Sequence, residues 1–462
     1  MELPRRQLFT NKALVWLFIP LFLEQLLNTL VGMVDGIMVS SVDEAAIAAV
    51  SLVGNISAVI LNLFAALATG GAIVTSQLIG AGDMNKARRS AGQVITMTVA
   101  VSSLLGLLCC LFNRQLLSLV FGKVEADVMD NAVTYFFYNA LSFPFLAVCS
   151  AGGAIMRAQG NSRVAFYVSL LRNAVNLGGN AICIFGLGMG VEGVAIPTAL
   201  CRVVGAIAIM LVVMNKKQKL RPAASDIFHI APRLMSRVLR IGLPTAFENS
   251  LFQLGRIMTL SMITGFGTYQ ITANSTANTL CSLVVCITTA CRMTSMTVIG
   301  QCVGAKDLWQ IKENSRKLLV AEYVCNALAA VAVILLRYPL LGLYSKLSEE
   351  TIELAAELIC ICLGASIFIY PLSFFLTGPL RAANDSAFPM WVSIISMAIF
   401  RLTLAQILCV NLGWGARGVW WAMPADWVCR AICFSWRWFG GSWKKKCGLS
   451  EDQRTAKPSK HN

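Results

Sequence analysis

The sequence predicts an all-α polytopic membrane protein, with twelve transmembrane helices in two pseudo-symmetric six-helix bundles. Three observations predict it. Of 462 residues, 57% are hydrophobic and only 13% are charged. The polar residues gather in islands between apolar runs of roughly 20–28 residues, each enough to cross a ~30 Å hydrocarbon layer at about 1.5 Å per residue. The chain is also written twice, at a near-constant offset.

The runs fall at approximately 14–39, 47–79, 93–112, 131–156, 164–185, 190–214, 238–264, 271–300, 318–339, 354–378, 388–410 and 415–438. The first follows Arg5, Arg6 and Lys12 and is not followed by a small-residue cleavage site, so it reads as a retained span. The second and eighth are long, and glycines such as Gly70 and Gly71 mark expected tilts or kinks.

The repeat is explicit. "IPLFLEQ" (Ile19–Gln25) recurs as "LPTAFEN" (Leu243–Asn249), "SQLIGAGD" (Ser76–Asp83) as "GQCVGAKD" (Gly300–Asp307), and "MRAQGNS" (Met156–Ser162) as "LRAANDS" (Leu380–Ser386), all shifted by 224 residues. "LGMGVEG" (Leu187–Gly193) matches "LGWGARG" (Leu412–Gly418) at a shift of 225. Six spans return the chain to its starting side, so the halves lie parallel about an axis along the membrane normal. The expected division is an N-terminal lobe over 1–214, a linker over 215–237, a C-terminal lobe over 238–440 and a basic tail over 441–462. Paired repeats are an architecture of alternating-access transporters, though channels also use repeats.

The net charge of +15 is topological. Of 38 Lys and Arg, 28 fall in the termini and alternate loops, against five (Arg114, Lys123, Arg337, Lys346, Arg417) in the opposite loops. This asymmetry predicts cytoplasmic termini, and nucleic acid is not an expected partner. The sixteen cysteines lie mostly within apolar runs, with no CxxC pair, and the two histidines, His229 and His461, lie in the basic segments. Neither a disulfide framework nor a zinc site is indicated. There is no GxxxxGK[ST] phosphate cradle, so the energy source is expected to be an ion gradient or a partner.

"LVGMVDGIMVS" places Asp35 in an apolar run with no neighbouring Lys or Arg. An ionisable residue within a span implies function by default. The fifth span carries Asn176 and Asn180 on one helical face, and the sixth carries Thr198. All four lie at similar expected depth, an oxygen-rich set suited to a hard cation or to a carboxylate that cycles a proton. Polar residues in membranes also simply join helices, and that reading stands beside the functional one for Asn176, Asn180 and Thr198. The second half lacks this set: Thr259 stands at the position of Asp35. Glu248 and Arg256 in the seventh span, with Arg401 and Asp426 later, form a second charge network in which the acids are expected to neutralise the arginines. Arg172, Arg202 and Arg292 also lie in spans, and Glu24 is a further acid able to pair with an arginine.

Pro20 followed by "MVDGIMVS", the loops "SQLIGAGD" and "GQCVGAKD", "MRAQGNS", "VEGVAIPTAL" and "IGLP" together resemble the multidrug and toxin extrusion (MATE) family. The resemblance covers residues 10–440. It implies a MATE-like pair of six-helix lobes and a monomeric inner-membrane antiporter, not an enzyme. Its cargo would be organic cations or other drug-like amphiphiles, exchanged for Na⁺ or H⁺ with no bound cofactor. The coupling carboxylate would be Asp35, which would also hold Na⁺ if sodium is the ion, with Asn176 and Thr198 as partners. Asn180 stands where the family often has an aspartate, so this site carries one negative charge instead of two. A flippase for lipid-linked oligosaccharide, from the wider superfamily, is the alternative that Arg256, Arg292 and Arg401 keep open.

Overall fold

The computed structural model describes residues 8–39, 44–122, 125–228, 230–344 and 347–449. Arg5, Arg6, Lys123, His229, Lys346, His461 and the tail from 450 lie outside the described residues. No strand occurs among the described residues. The first half supplies α1 (Asn11–Val39), α2 (Glu44–Gly80), α3 (Met84–Leu111) and α4, made of Ala126–Leu141 and Phe143–Ala158. It continues with α5 (Ser162–Ala181, running into a wider turn at Ile182–Gly186) and α6 (Glu192–Val213). The second half supplies α7 (Pro232–Thr264), α8 (Thr268–Gly304), α9 (Leu308–Leu335), α10 (Glu349–Ala382), α11 (Ala387–Asn411) and α12 (Ala416–Phe439).

Each of the twelve expected spans coincides with one of these helices. Among the described residues eight helices are long and apolar enough to cross a membrane, or nine with α4 taken as one span. The remaining three, α5, α7 and α12, carry Asn176 and Asn180, Glu248 and Arg256, and Asp426 and Arg430. The polar residues that dilute their hydropathy are the candidate functional ones.

Two spans depart from expectation. The fourth is bent by 45° between Leu141 and Phe143. Pro144 offers no N–H to Ala140, so the backbone ladder breaks there, and Arg202 of α6 braces the bend from the side. Its Nη1 donates to the Asn139 carbonyl (3.3 Å), the Asn139 side chain (2.7 Å) and the Ser142 hydroxyl (2.7 Å). The ninth span begins at Leu308 instead of 318, which moves its polar start into the helix.

Two of the repeated motifs are helix ends. Asp83 and Asp307 cap α3 and α9, accepting from the Lys86 and Gln310 amides at 3.0 Å each. The residue before each cap is left-handed: Gly82 at φ 77° and Lys306 at φ 55°. Gly160 and Asn384 form another such pair, at φ 83° and 61°. A helix that stops in a left-handed residue favours glycine or asparagine, so these segments keep their sequence in both halves.

The described residues form two compact units. One, Ile19–Ala246, has a core centred on Phe64, Phe136 and Phe143, with the Phe64 and Phe143 rings edge-on at 5.8 Å. The other runs to Phe18 and resumes at Phe247. Its core joins α8, α10 and α12 through small residues such as Ala277 and Ala355, which let helices approach closely, and is filled by Trp420. Within the first unit the linker is tied to α3. Asp226 pairs with Arg88 at 3.0 Å, and Gln93 donates to the Asp226 carbonyl at 2.8 Å.

Candidate functional site

Asp35 lies four residues before the end of α1, about 6 Å along the helix axis. α5 meets it with two amides. Asn180 Nδ2 donates to Asp35 Oδ1 at 3.1 Å. Asn176, with its amide oriented so that both ends find partners, donates to Asp35 Oδ2 at 2.9 Å and Oδ1 at 3.1 Å. Its own oxygen lies 3.2 Å from the Thr198 hydroxyl on α6, which also reaches the Val194 carbonyl at 2.8 Å. The four expected residues thus meet within one unit, the asparagines buried and Asp35 and Thr198 half-buried. Asn180 Oδ1 is buried and has no hydrogen-bond partner.

Helical spacing explains the meeting. Ser169, Asn173, Asn176 and Asn180 fall at i, i+4, i+7 and i+11 on α5, one continuous face. Asn28 lies seven residues before Asp35 on α1 and forms a second rung, accepting from Ser169 Oγ at 2.9 Å and Asn173 Nδ2 at 3.0 Å. Sequence reasoning missed Asn28, Ser169 and Asn173, although the spacing already contained the signal. Glu24 lies one turn further down α1. Its Oε2 is buried without a hydrogen-bond partner, and the charges of Arg157 and Arg172 act on it without an ion pair within 4 Å among the described residues.

The second half is wired differently from the expectation. Glu248 is held by Arg381 at 2.6 Å and by the Ser393 hydroxyl at 2.9 Å, not by Arg256. Asp426 is held by Arg430 at 2.9 Å and Ser396 at 2.6 Å, not by Arg401. Arg381 and Arg430, two of the 28 basic residues that the sequence places in the termini and alternate loops, are each only 2% exposed. Arg381 lies beyond the expected end of the tenth span at 378 but inside α10, which runs to Ala382. Arg401 stacks over the Phe252 ring at 4.7 Å, with its Nε unpartnered, and Arg256 is exposed.

Glu322 was missed altogether. Because α9 starts at Leu308, Glu322 is central in the helix and completely buried. Its Oε1 accepts from Thr288 Oγ1 at 2.5 Å, and Oε2 has no partner. The apolar window beginning at 318 had placed it at a span's edge.

The MatE family profile matches residues 20–182 and again 244–407, two stretches whose starts repeat the 224-residue offset. The chain belongs to the MatE family. Members of this family are membrane transporters, not enzymes. Across 454 residues the MatE chain is 28% identical to the uncharacterized transporter YisQ of Bacillus subtilis, covering 96% of both proteins. It is 24% identical over 453 residues to the probable multidrug resistance protein NorM of Thermotoga maritima, covering 96% of this chain and 95% of that one. A solved multidrug resistance MATE family transporter in its outward-facing conformation matches with a TM-score of 0.86 at 20% identity, covering 94% of this chain and 96% of that one. That likeness carries the fold: twelve helices in two bundles.

Proposed function

We propose that this MatE protein is a secondary antiporter that exports drug-like amphiphiles against an inward flow of protons, with Asp35 as the coupling carboxylate. It works as a monomer in the cell membrane with both termini cytoplasmic, the orientation supported by the Lys and Arg asymmetry. The observation that carries the reading is the Asp35 cluster. A carboxylate near the end of a span is held by two amides and has no guanidinium or ammonium among its described hydrogen-bond partners.

The geometry favours H⁺ over Na⁺ as the coupling ion. Asn180 turns its N–H group toward Asp35, and Asn176 does so in the amide orientation that satisfies both its ends. A hard cation needs oxygens there, so Na⁺ requires the Asn180 amide to rotate, whereas a proton requires only a carboxylate oxygen. Asn180 in place of a second acid removes Coulomb attraction for Na⁺ as well. Protonation converts charge-assisted bonds from α5 into neutral ones, a change of roughly 1 kcal/mol or more per bond. That difference biases two conformations with unequal affinity for cargo, which is all that coupling requires.

The test is accumulation of fluorescent amphiphiles, ethidium and a fluorescent aromatic carboxylate, in inside-out vesicles carrying the protein. An imposed proton gradient should drive uptake in sodium-free buffer, and a protonophore should collapse it. Uptake that needs Na⁺ and ignores the protonophore assigns the site to sodium, and uptake indifferent to both gradients ends the antiport reading.

A further inference from the structure

Two adjoining cavities open within the unit that resumes at Phe247, and Phe252, Tyr370 and Phe374 wall both. Their charge is one-sided. Arg256 and Arg401 line the first, Arg292 and Arg430 the second. Glu248 is the one acid among the described lining residues, and Arg381 and Ser393 already hold it. Asp426 balances Arg430. Arg256, Arg292 and Arg401 have no carboxylate within 4 Å among the described residues, and Arg401 is 6% exposed with an unpartnered Nε.

Guanidinium groups within spans that lack a directly paired carboxylate are costly and mark substrate or ion pathways; here Asp426 acts on Arg401, and Glu248 and Glu322 on Arg292, only from beyond ion-pair distance. Arg292 sits twelve residues from the end of α8, about 18 Å into the helix. The aromatic wall points the same way. An organic cation is recognised by open ring faces or by free carboxylates. Here the Phe252 face already takes Arg401 at 4.7 Å and Arg430 at 5.4 Å. Tyr370 and Phe374 stack on each other at 4.1 Å, leaving an apolar wall for a flat body.

We propose that these cavities bind an amphiphile with an anionic head, a carboxylate, sulfonate or phosphate on an aromatic or apolar body, in place of the organic cation expected from the resemblance. The proposal rests on the export reading and names its cargo class. The unpaired arginines take the head through forked N–H donors, and Tyr370, Phe374 and Trp427 contact the body.

Isothermal titration of the full-length purified protein in neutral detergent tests it. The probes are naphthaleneacetate, the like-sized cation naphthylethylammonium, and a short-chain phosphatidylglycerol. Naphthaleneacetate should bind at least tenfold more tightly than the amine. Arg292→Gln should remove most of that preference, and Arg256→Gln, at an exposed position that folding tolerates, should lower it severalfold. Phosphatidylglycerol binding more tightly than naphthaleneacetate and displacing it supports the anion site and assigns the head to a lipid; the reverse order supports it and assigns a free amphiphile. Equal or tighter binding of the amine overturns the proposal, as does an unchanged preference in both variants with a native melting profile. No gradient is present, so a failed titration leaves proton-driven export standing, and failed export leaves the titration standing.

Discussion

Replacing Glu248 with alanine strips Arg381 of the one carboxylate that holds it among the described residues. The two groups are 2.6 Å apart, with Arg381 at 2% and Glu248 at 11% side-chain exposure. At an effective dielectric of about 20, unit charges at that separation attract by roughly 6 kcal/mol. Relaxation and water entry reduce the net loss on removing one partner to about 3–5 kcal/mol. Arg381 Nε is already unpartnered, so no second acceptor waits to take the charge. For a unit of this size each kcal/mol moves the melting midpoint by about 2–4 °C. Glu248→Ala should therefore melt roughly 10 °C below wild type in detergent, read by thermal unfolding of the purified chain. The double variant Glu248→Leu with Arg381→Met should recover at least half of that loss, because no unpaired charge remains, giving a coupling of about 2 kcal/mol or more. A Glu248→Ala midpoint within about 2 °C of wild type, or losses that simply add in the double variant, would refute the ion pair as a structural brace.

Other expectations follow from the same physics. Arg202→Met keeps the packing of α6 but takes the Arg202 donor from the Asn139 side-chain oxygen and the Ser142 hydroxyl at the α4 bend; the melting midpoint should fall by the equivalent of about 2–3 kcal/mol. Lys306→Gly relieves a side chain at φ 55° where the repeat has Gly82, and should stabilise by about 1 kcal/mol, with Gly82→Lys doing the reverse. At Gly92 an added Cβ meets the Asp226 carbonyl oxygen at 2.6 Å. Gly92→Ala should therefore cost about 1–3 kcal/mol and speed protease cleavage between residues 215 and 237.

The parts of this protein legible in the sequence are those written as local contrast. Twelve apolar runs broken by basic islands, and a repeat at 224 residues, gave the helices and their pairing into halves. Asp35 was legible because a lone charge in an apolar run has no local explanation. Asn176, Asn180 and Thr198 followed from helical spacing. Long-range pairings were not legible. Which arginine reaches Glu248 depends on how far α10 buries its last turn, and hydropathy windows place Arg381 at the surface. Glu322 vanished for a related reason: the polar beginning of α9 made the window start late, so a central buried acid read as a boundary residue. Asn28 was overlooked because an isolated asparagine in a span carries little signal until its partners Ser169 and Asn173 are known.

Asp35→Asn in inside-out vesicles, with insertion and melting matched to wild type, measures coupling most directly. The amide removes the titratable oxygen but keeps the side chain's size beside Asn176 and Asn180. Proton-driven accumulation should drop to less than about a tenth of wild type, a barrier or affinity change above roughly 1.4 kcal/mol, while cargo binding in detergent persists. Accumulation by Asp35→Asn at the wild-type level under the same gradient would contradict Asp35 as the coupling carboxylate and move the search to Glu24 and Glu322.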